Sequence, residues 1–427
     1  MRHTYTYEKP SSNFLKKLVE FSKRYTYSSI LISGDNHDKY SKFNTIAALG
    51  AKEIISSQSD SFNKLLSFHN QYKDWMFGFL SYDIKNEIED LRSANIDQFR
   101  FPNLEFFIPE TILFISDDDI NVESFLSEDE ISGLLEEINN SDTIQKNDPD
   151  VKLNFRETKE KFLKKIERIK KHIQIGDIYE MNYCQELFSK GHDINPSSVF
   201  WELHLKSNAP FSVFSKMRNK YLLCSSPERF LQKSENKIIS QPIKGTRKRG
   251  KNNQEDEELI FDLQQSKKDR SENIMIADLV RNDLSRTAEK SSVKAEELCK
   301  IYTFDRVHQM ISTISSNLDE KYNFVDVLET TFPMGSMTGA PKIKSMELIE
   351  EYETTRRSLF SAAYGYITPN ADFDFNVVIR SILYDEINNY ISVMVGGAIT
   401  INSDPKSEYE ECLVKAKAMI DVLKNEK

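Results

Sequence analysis

Two pairs of carboxylates share a spacing that turns them to one side of a helix. Near the C-terminus Glu408, Glu411 and Lys415 stand at i, i+3 and i+7, on a face offset from the apolar stripe. Asp269 and Glu272 repeat the i, i+3 step in Lys268-Asp269-Arg270-Ser271-Glu272-Asn273, opening a helical segment that continues through Ile276 and Leu279. A small, oxygen-only ligand set suits magnesium, which keeps several waters and takes one or two direct carboxylates. The same spacing also describes an ordinary solvated helix face.

Three further runs could meet a ligand. Gly396-Gly397-Ala398 ends a strand, and two glycines there allow backbone N–H groups to approach a carboxylate, or simply mark a bend. Gly335 to Lys342 lacks the Gly-Lys-Ser/Thr ending of a phosphate loop and carries Pro341 where an amide would be needed, which excludes nucleotide binding of that kind. It reads instead as a loop entering a helix with Pro341 in its first turn, leaving N–H groups and the Thr338 hydroxyl free at the start. In the strand-like run Ile178 to Phe188, alternation puts Glu180 and Asn182 on one face, as in a lined cavity or a solvent-facing strand.

The elements that must position these residues are legible in outline. Phe162, Ile166, Ile169 and Ile173 form one face of an amphipathic helix that Gly176 would cap. Strands are expected at Ala362 to Thr368, Phe373 to Tyr384 and Asn389 to Thr400, with a turn between the last two. Asp404 and Pro405 open a final helix whose buried stripe is Leu413, Ala416, Ile420 and Leu423. Residues 1–145 carry strand-like runs such as Ser28 to Ile32 and Met76 to Tyr82, with little chemistry. The polar, acidic stretch 127–150 reads as a short helix and linker, so the chain divides into an N-terminal segment, 1–145, and a catalytic domain, 150–427. Periodicity alone supports an α+β fold with antiparallel strands.

Composition narrows the partners. The 427 residues carry a net charge of −10 and no basic block, which argues against nucleic acid. No run reaches the roughly 20 apolar residues of a membrane span, and no signal pattern precedes the first strand. Cys184, Cys224, Cys299 and Cys412 have no Cys-x-x-Cys spacing and read as reduced thiols, so the cytoplasm is the expected location.

Taken in order, these runs resemble the chorismate-utilising family of anthranilate, aminodeoxychorismate, isochorismate and salicylate synthases. The resemblance spans about residues 155–425. It rests on Gly176-Asp177-Ile178-Tyr179, Ser226-Pro227-Glu228-Arg229, Pro242-Ile243-Lys244-Gly245-Thr246-Arg247, Lys268 to Asn273, Arg281-Asn282-Asp283, Gly335 to Lys342 and Glu408-Tyr409-Glu410-Glu411. The leading segment adds Gly78-Phe79-Leu80-Ser81-Tyr82-Asp83. The resemblance implies a large two-sheet antiparallel core with helices outside and a cleft between its halves.

It also implies roles. Glu272 and Glu411 would bind Mg2+ directly, with Asp269 and Glu408 holding its waters. The metal would grip the ring carboxylate of chorismate with help from the Gly396 and Gly397 amides and Lys415. Tyr366 and Arg380 would hold the enolpyruvyl carboxylate, and Gly245, Thr246 and Thr338 would line the substrate site. Glu228 would be the general acid that protonates the departing hydroxyl at ring carbon 4.

Lys244 selects the branch. Anthranilate synthases typically carry Ala in this run and aminodeoxychorismate synthases Lys, so the resemblance implies amination at carbon 4, on the route to 4-aminobenzoate and folate. Lys244 would attack carbon 2 and expel the hydroxyl, and ammonia would then attack carbon 4 and expel the lysine. A lysine of ordinary pKa, about 10.4, is neutral in only about one part in 2,500 at pH 7, so a nearby cation such as Arg247 and desolvation are expected to favour its neutral form. The water-using branches have a lysine where this chain has Glu180, and the aminating branches usually have Gln. Gln309 stands where the family commonly has His, and His308 would point the other way. No Cys lies in a glutaminase-like setting, so a separate glutamine amidotransferase subunit is expected to supply ammonia. Anthranilate synthase component I is the nearest alternative; a chorismate-binding homologue without catalysis is the other, against which the intact set Glu228, Lys244, Glu272 and Glu411 speaks.

Overall fold

The amphipathic spacing folds as expected. In the computed structural model, which describes residues 2–8, 11–33, 39–145 and 149–424, helix Lys159–Ile175 buries Phe162, Ile166 and Ile169 between a Thr158 cap and Gly176 at φ 89°. Helix Pro405–Leu423 opens on Asp404, whose carboxylate accepts the Ser407 N–H at 2.9 Å. Two antiparallel sheets carry the strands. One runs from His3–Glu8 at an edge, through Tyr27–Ile32, Phe211–Met217, Lys220–Ser226, Ser381–Asp385, Tyr390–Ile399 and Glu180–Lys190, to the short strand Gly339–Ala340. The other runs from Ile243–Lys248 through Val307–Asn317, Lys237–Gln241, Arg229–Ser234, Phe373–Val377, Ala363–Ile367 and Met76–Leu80 to Glu53–Ser57.

Strand alternation gives each sheet two buried faces. An aromatic-rich layer that includes Tyr27, Phe77, Phe107, Val213, Leu222 and Tyr364 lies between the sheets. Helices Phe14–Ser22, Lys159–Ile175 and Pro405–Leu423 cover the outside of the first sheet, and Ser61–Tyr72, Lys267–Ser285 and Phe324–Thr331 cover the second. Helix, sheet, sheet and helix thus form four layers, the α+β two-sheet arrangement that the sequence implies.

Residues 1–145 and the rest of the chain share both sheets: Tyr27–Ile32 pairs with Phe211–Met217, and Met76–Leu80 with Ala363–Ile367. Two expectations are corrected. The single strand expected from Phe373 to Tyr384 is two, Phe373–Val377 in the second sheet and Ser381–Asp385 in the first. Arg380, at φ 52°, turns the chain from one sheet to the other, which a continuous β pattern does not reveal. Pro341 is the N-cap residue rather than a first-turn residue, and the helix is Lys342–Tyr352. Among the described residues no helix is long and apolar enough to cross a membrane.

Candidate active site

The two sheets meet edge to edge around Lys244 and Glu180. Strand Glu180–Lys190 pairs with Tyr390–Ile399, setting Asn182 opposite Ala398 and Tyr183 opposite Gly397. Glu180 and Asn182 both face inward and are buried, as the cavity reading of that strand requires. Asn182 Nδ2 donates to Ser336 O at 2.6 Å and its N–H to Thr338 O at 2.8 Å, which fixes the 335–340 loop on the strand. Lys244 comes from the edge strand of the other sheet, and its Nζ lies 3.8 Å from Glu180 Oε1.

Gly245 holds a backbone that other residues adopt only with strain. Its φ is 89°, and a Cβ would stand 3.0 Å from Asp269 Cβ, so the lysine strand lies directly on helix Lys267–Ser285. Thr246 pairs with Gln309 across the strands. Gln309 is buried, and its Oε1 has no hydrogen-bond partner among the described residues. His308 points the other way, as alternation requires, and its Nε2 and Nδ1 lie against Asp256 at 2.9 Å and Thr303 at 2.9 Å.

The four acidic helix residues converge from two helices. A Cβ on Gly397 would lie 3.3 Å from Glu408 Oε2, 3.6 Å from Lys415 Nζ and 3.8 Å from Glu411 Oε1, so the glycine strand and the C-terminal helix face one another at that point. Lys268, from the other helix, lies 4.0 Å from Glu272 and 3.9 Å from Glu408 and bridges the two pairs. Burial pushes the Glu272 carboxyl up to about 7 against the pull of Lys244 and Lys268, with Glu180 and Asp269 adding to the rise. Burial also raises Glu408, while Lys415, Lys268 and Lys244 hold Glu411 below its ordinary value although burial opposes them.

This donor set fits a magnesium ion. The Glu272 Oε1 atom is buried without a hydrogen-bond partner among the described residues, and carboxylates whose charge is raised in cost by burial and by one another gain most from a divalent cation. Among the described residues no group of three or more His, Cys, Asp or Glu side chains is placed to hold a metal ion. In the structure Glu411 pairs with Lys415 at 2.7 Å, Glu408 accepts from Ser403 Oγ at 2.7 Å, and Asp269 accepts from Arg247 at 3.0 Å.

Glu228 lies where the strand Lys220–Ser226 passes into Arg229–Ser234, facing Ser336 across a small cavity. Burial pushes its carboxyl up to about 7, offset only in part by the nearby Ser336 hydroxyl and the Lys244 ammonium. Such a group can hold a proton at neutral pH and give it up.

Several sequence-derived placements change. Tyr366 is not beside Arg380. Tyr364 and Tyr366 share the inter-sheet face of their strand, and Tyr366 packs with Phe43, Trp75 and Phe77 at ring distances of 5.8, 5.7 and 6.1 Å. It lines a cavity with Phe43 and Phe211, away from the carboxylates. Arg380 does face the site, where burial lowers its pKa and Glu411 acts in the opposite sense, and its guanidinium makes no hydrogen bond or ion pair among the described residues. The Thr338 hydroxyl donates to Met334 O at 3.2 Å rather than standing free. Lys415 donates to Gly396 O at 3.0 Å besides its Glu411 pair, so it supports the glycine strand. Arg247 pairs with Asp262 and Asp269, on the helix side of its strand. The charges around Lys244 are therefore acidic: Glu180, Glu228, Glu272 and Glu411.

One supporting group was missed by sequence reasoning. Glu353 and Arg357, at i, i+4, form a pair only 2% and 1% exposed. Glu353 accepts the Cys184 N–H at 2.9 Å, while Arg357 donates to Met337 O at 2.6 Å and Asn182 O at 3.1 Å and lies over the Tyr82 ring. The pair ties the 335–340 loop, the Glu180 strand and the leading segment together; its only sequence signal is a spacing common on helix surfaces.

The chain is matched over residues 17–421 by the model of the chorismate binding enzyme family, and it belongs to that family. Component 1 of aminodeoxychorismate synthase from Bacillus subtilis (strain 168) is 32% identical over 369 residues, covering 80% of this chain and 75% of that one. The protein of the same name from Escherichia coli (strain K12) is 31% identical over 360 residues, covering 83% and 79%. The crystal structure of anthranilate synthase component I from Streptococcus pneumoniae TIGR4 superimposes with a TM-score of 0.77 at 21% identity, over 91% of this chain and 95% of that one, and shares the fold.

Proposed function

We propose that this chain aminates chorismate at ring carbon 4 to give 4-amino-4-deoxychorismate, with Lys244 as nucleophile and Glu228 as general acid. The observation that carries this reading is a lysine in the Pro-Ile-Lys-Gly-Thr run, held at a buried carboxylate where the two sheets meet. The relatives named aminodeoxychorismate synthase component 1 support the same reaction.

Glu272 and Glu411 would hold a magnesium ion, with Asp269 and Glu408 around it; when bound, it neutralises and orients the ring carboxylate of the substrate. Arg380, whose guanidinium has no hydrogen bond or ion pair among the described residues, would take the enolpyruvyl carboxylate in its planar fork. Glu228 would deliver its proton to the oxygen on carbon 4 as Lys244 bonds to carbon 2. Ammonia would then displace Lys244 with attack at carbon 4. Because this chain has no glutaminase cysteine setting and its relatives are named as components, a separate glutamine amidotransferase would supply ammonia. Four buried free cysteines fit an enzyme of the cytoplasm.

Chorismate, magnesium and ammonium are incubated with the purified chain and the product is chromatographed with and without a lyase that releases 4-aminobenzoate. Aminodeoxychorismate that the lyase converts supports the reading. Anthranilate formed directly would assign the chain to the anthranilate branch, and no turnover of chorismate would make it a binding homologue.

A further inference from the structure

Glu180 is an anomaly in the site as described. It is fully buried, and neither carboxylate oxygen has a hydrogen-bond partner among the described residues. A buried carboxylate without donors is costly, so its presence calls for a group that will meet it during turnover. Lys244 Nζ, at 3.8 Å, is the cation within ion-pair reach of it. That distance is too long for a hydrogen bond and short enough that one lysine rotamer change would close it.

Lys244 meanwhile lacks the help that a nucleophilic amine needs. Arg247 is occupied by Asp262 and Asp269. The groups facing Lys244 are Glu180 from the first sheet, Glu228 from the turn before Arg229, Glu272 from one helix and Glu411 from the other. A lysine attacks only through a nitrogen lone pair, which its ammonium form does not have. The proton must therefore pass to one of these four carboxylates. Glu228 needs to be protonated to act as acid, and Glu272 and Glu411 belong to the proposed metal site. Glu180 is left with two free oxygens and no other task.

We infer that Glu180 is the general base for Lys244, taking the ammonium proton as the amine attacks and returning it when the amine departs. This rests on Lys244 being the nucleophile. In the first step the Lys244 N–H proton moves to a Glu180 oxygen and the nitrogen lone pair forms the bond to carbon 2. The two ring double bonds each shift one position, the carbon 4 to oxygen bond breaks, and the oxygen leaves as water with the Glu228 proton. In the second step ammonia bonds to carbon 4, the double bonds shift back, and the carbon 2 to nitrogen bond breaks. Lys244 leaves as a neutral amine and recovers its proton from Glu180, and Glu228 is reprotonated from solvent.

The test compares Glu180→Gln, Lys244→Ala and the double variant in ammonium-dependent amination, with magnesium present and chorismate binding measured separately. Glu180→Gln keeps the shape and removes the proton acceptor. The expected kcat is about 100-fold or more below wild type near pH 7, with KM for chorismate within about threefold. The ratio of variant to wild-type rate is expected to climb as pH rises from about 6.5 to 8.5, because the growing supply of base in solution replaces the missing carboxylate. In the Lys244→Ala background the same substitution is expected to cost nothing further. A Glu180→Gln rate near wild type, or a loss equal at every pH, overturns the inference. Full activity of Lys244→Ala would instead remove the nucleophile reading on which it stands. Should Glu180→Gln not bind chorismate, Glu180→Asp serves: it retains an acceptor, and a rate as low as that of Lys244→Ala with binding intact counts against the proposal.

Discussion

Glu228→Gln separates the proposed chemistry from mere occupancy of the site. Burial moves this carboxyl from its ordinary 4.5 to about 7. At pH 7 such a group is protonated in about half of the molecules, against about 0.3% for an ordinary carboxyl, a gain of about 150-fold in the acid form. The amide keeps the shape but donates no acidic proton, so kcat is expected to fall by about 10² to 10⁴, with KM for chorismate little changed. Wild-type kcat should decline above about pH 7 as the acid is lost. Stability supplies a second, independent reading. The folded-state pKa is raised, so between about pH 4.5 and 7 the unfolded chain binds fewer protons than the folded one and stability falls as pH rises. The penalty, about 3 kcal/mol when complete, is absent in the variant. The stability difference between variant and wild type should therefore move in favour of the variant by about that amount between pH 4.5 and pH 8, in denaturant titrations at each pH. Parallel stability curves, or a variant as active as wild type at pH 7, would refute the assignment of a buried, proton-holding acid.

Other perturbations follow from the same geometry. Glu272→Gln and Glu411→Gln should each weaken magnesium binding about 10-fold or more by calorimetry; without magnesium, thermal stability at neutral pH should hold or rise in Glu272→Gln, whose carboxyl burial raises, and fall in Glu411→Gln, which loses its Lys415 pair. Arg380→Ala should raise KM for chorismate about 10- to 100-fold, the worth of a hydrogen-bonded charge pair, without altering magnesium affinity. Arg357→Leu leaves Glu353 buried and unpaired and should cost about 3–5 kcal/mol in denaturant unfolding, with chorismate binding weakened as the 335–340 loop loses its anchor.

The sequence was readable wherever local periodicity and caps decide the structure. Helix Lys159–Ile175 ends at Gly176 and helix Pro405–Leu423 begins at Asp404 because those caps act within a turn of their own position. The carboxylate pairs were legible as spacings, but their convergence depends on which helix faces which, and the contacts of Lys268 with Glu272 and Glu408 reveal it. Tyr366 was misplaced because alternation identifies two faces without saying which one meets the substrate, and here its face is the inter-sheet layer. Arg380 was singled out in the sequence, yet the strand break it makes was not, since a left-handed residue inside a β pattern leaves no compositional mark. Arg247 was expected to help Lys244, and Asp262 and Asp269 take it away; those partners come from the two helices that follow in the chain, which no local pattern reveals. The Glu353–Arg357 brace has partners on three distant segments, and no local signal encodes those.

The most direct test of the central claim is the rate of aminodeoxychorismate formation by Lys244→Ala beside wild type, with ammonium and magnesium saturating and chorismate binding measured on the same preparations. Loss or redirection of amination with binding largely intact is the expected result. An unchanged rate would make Lys244 a bystander and contradict the account.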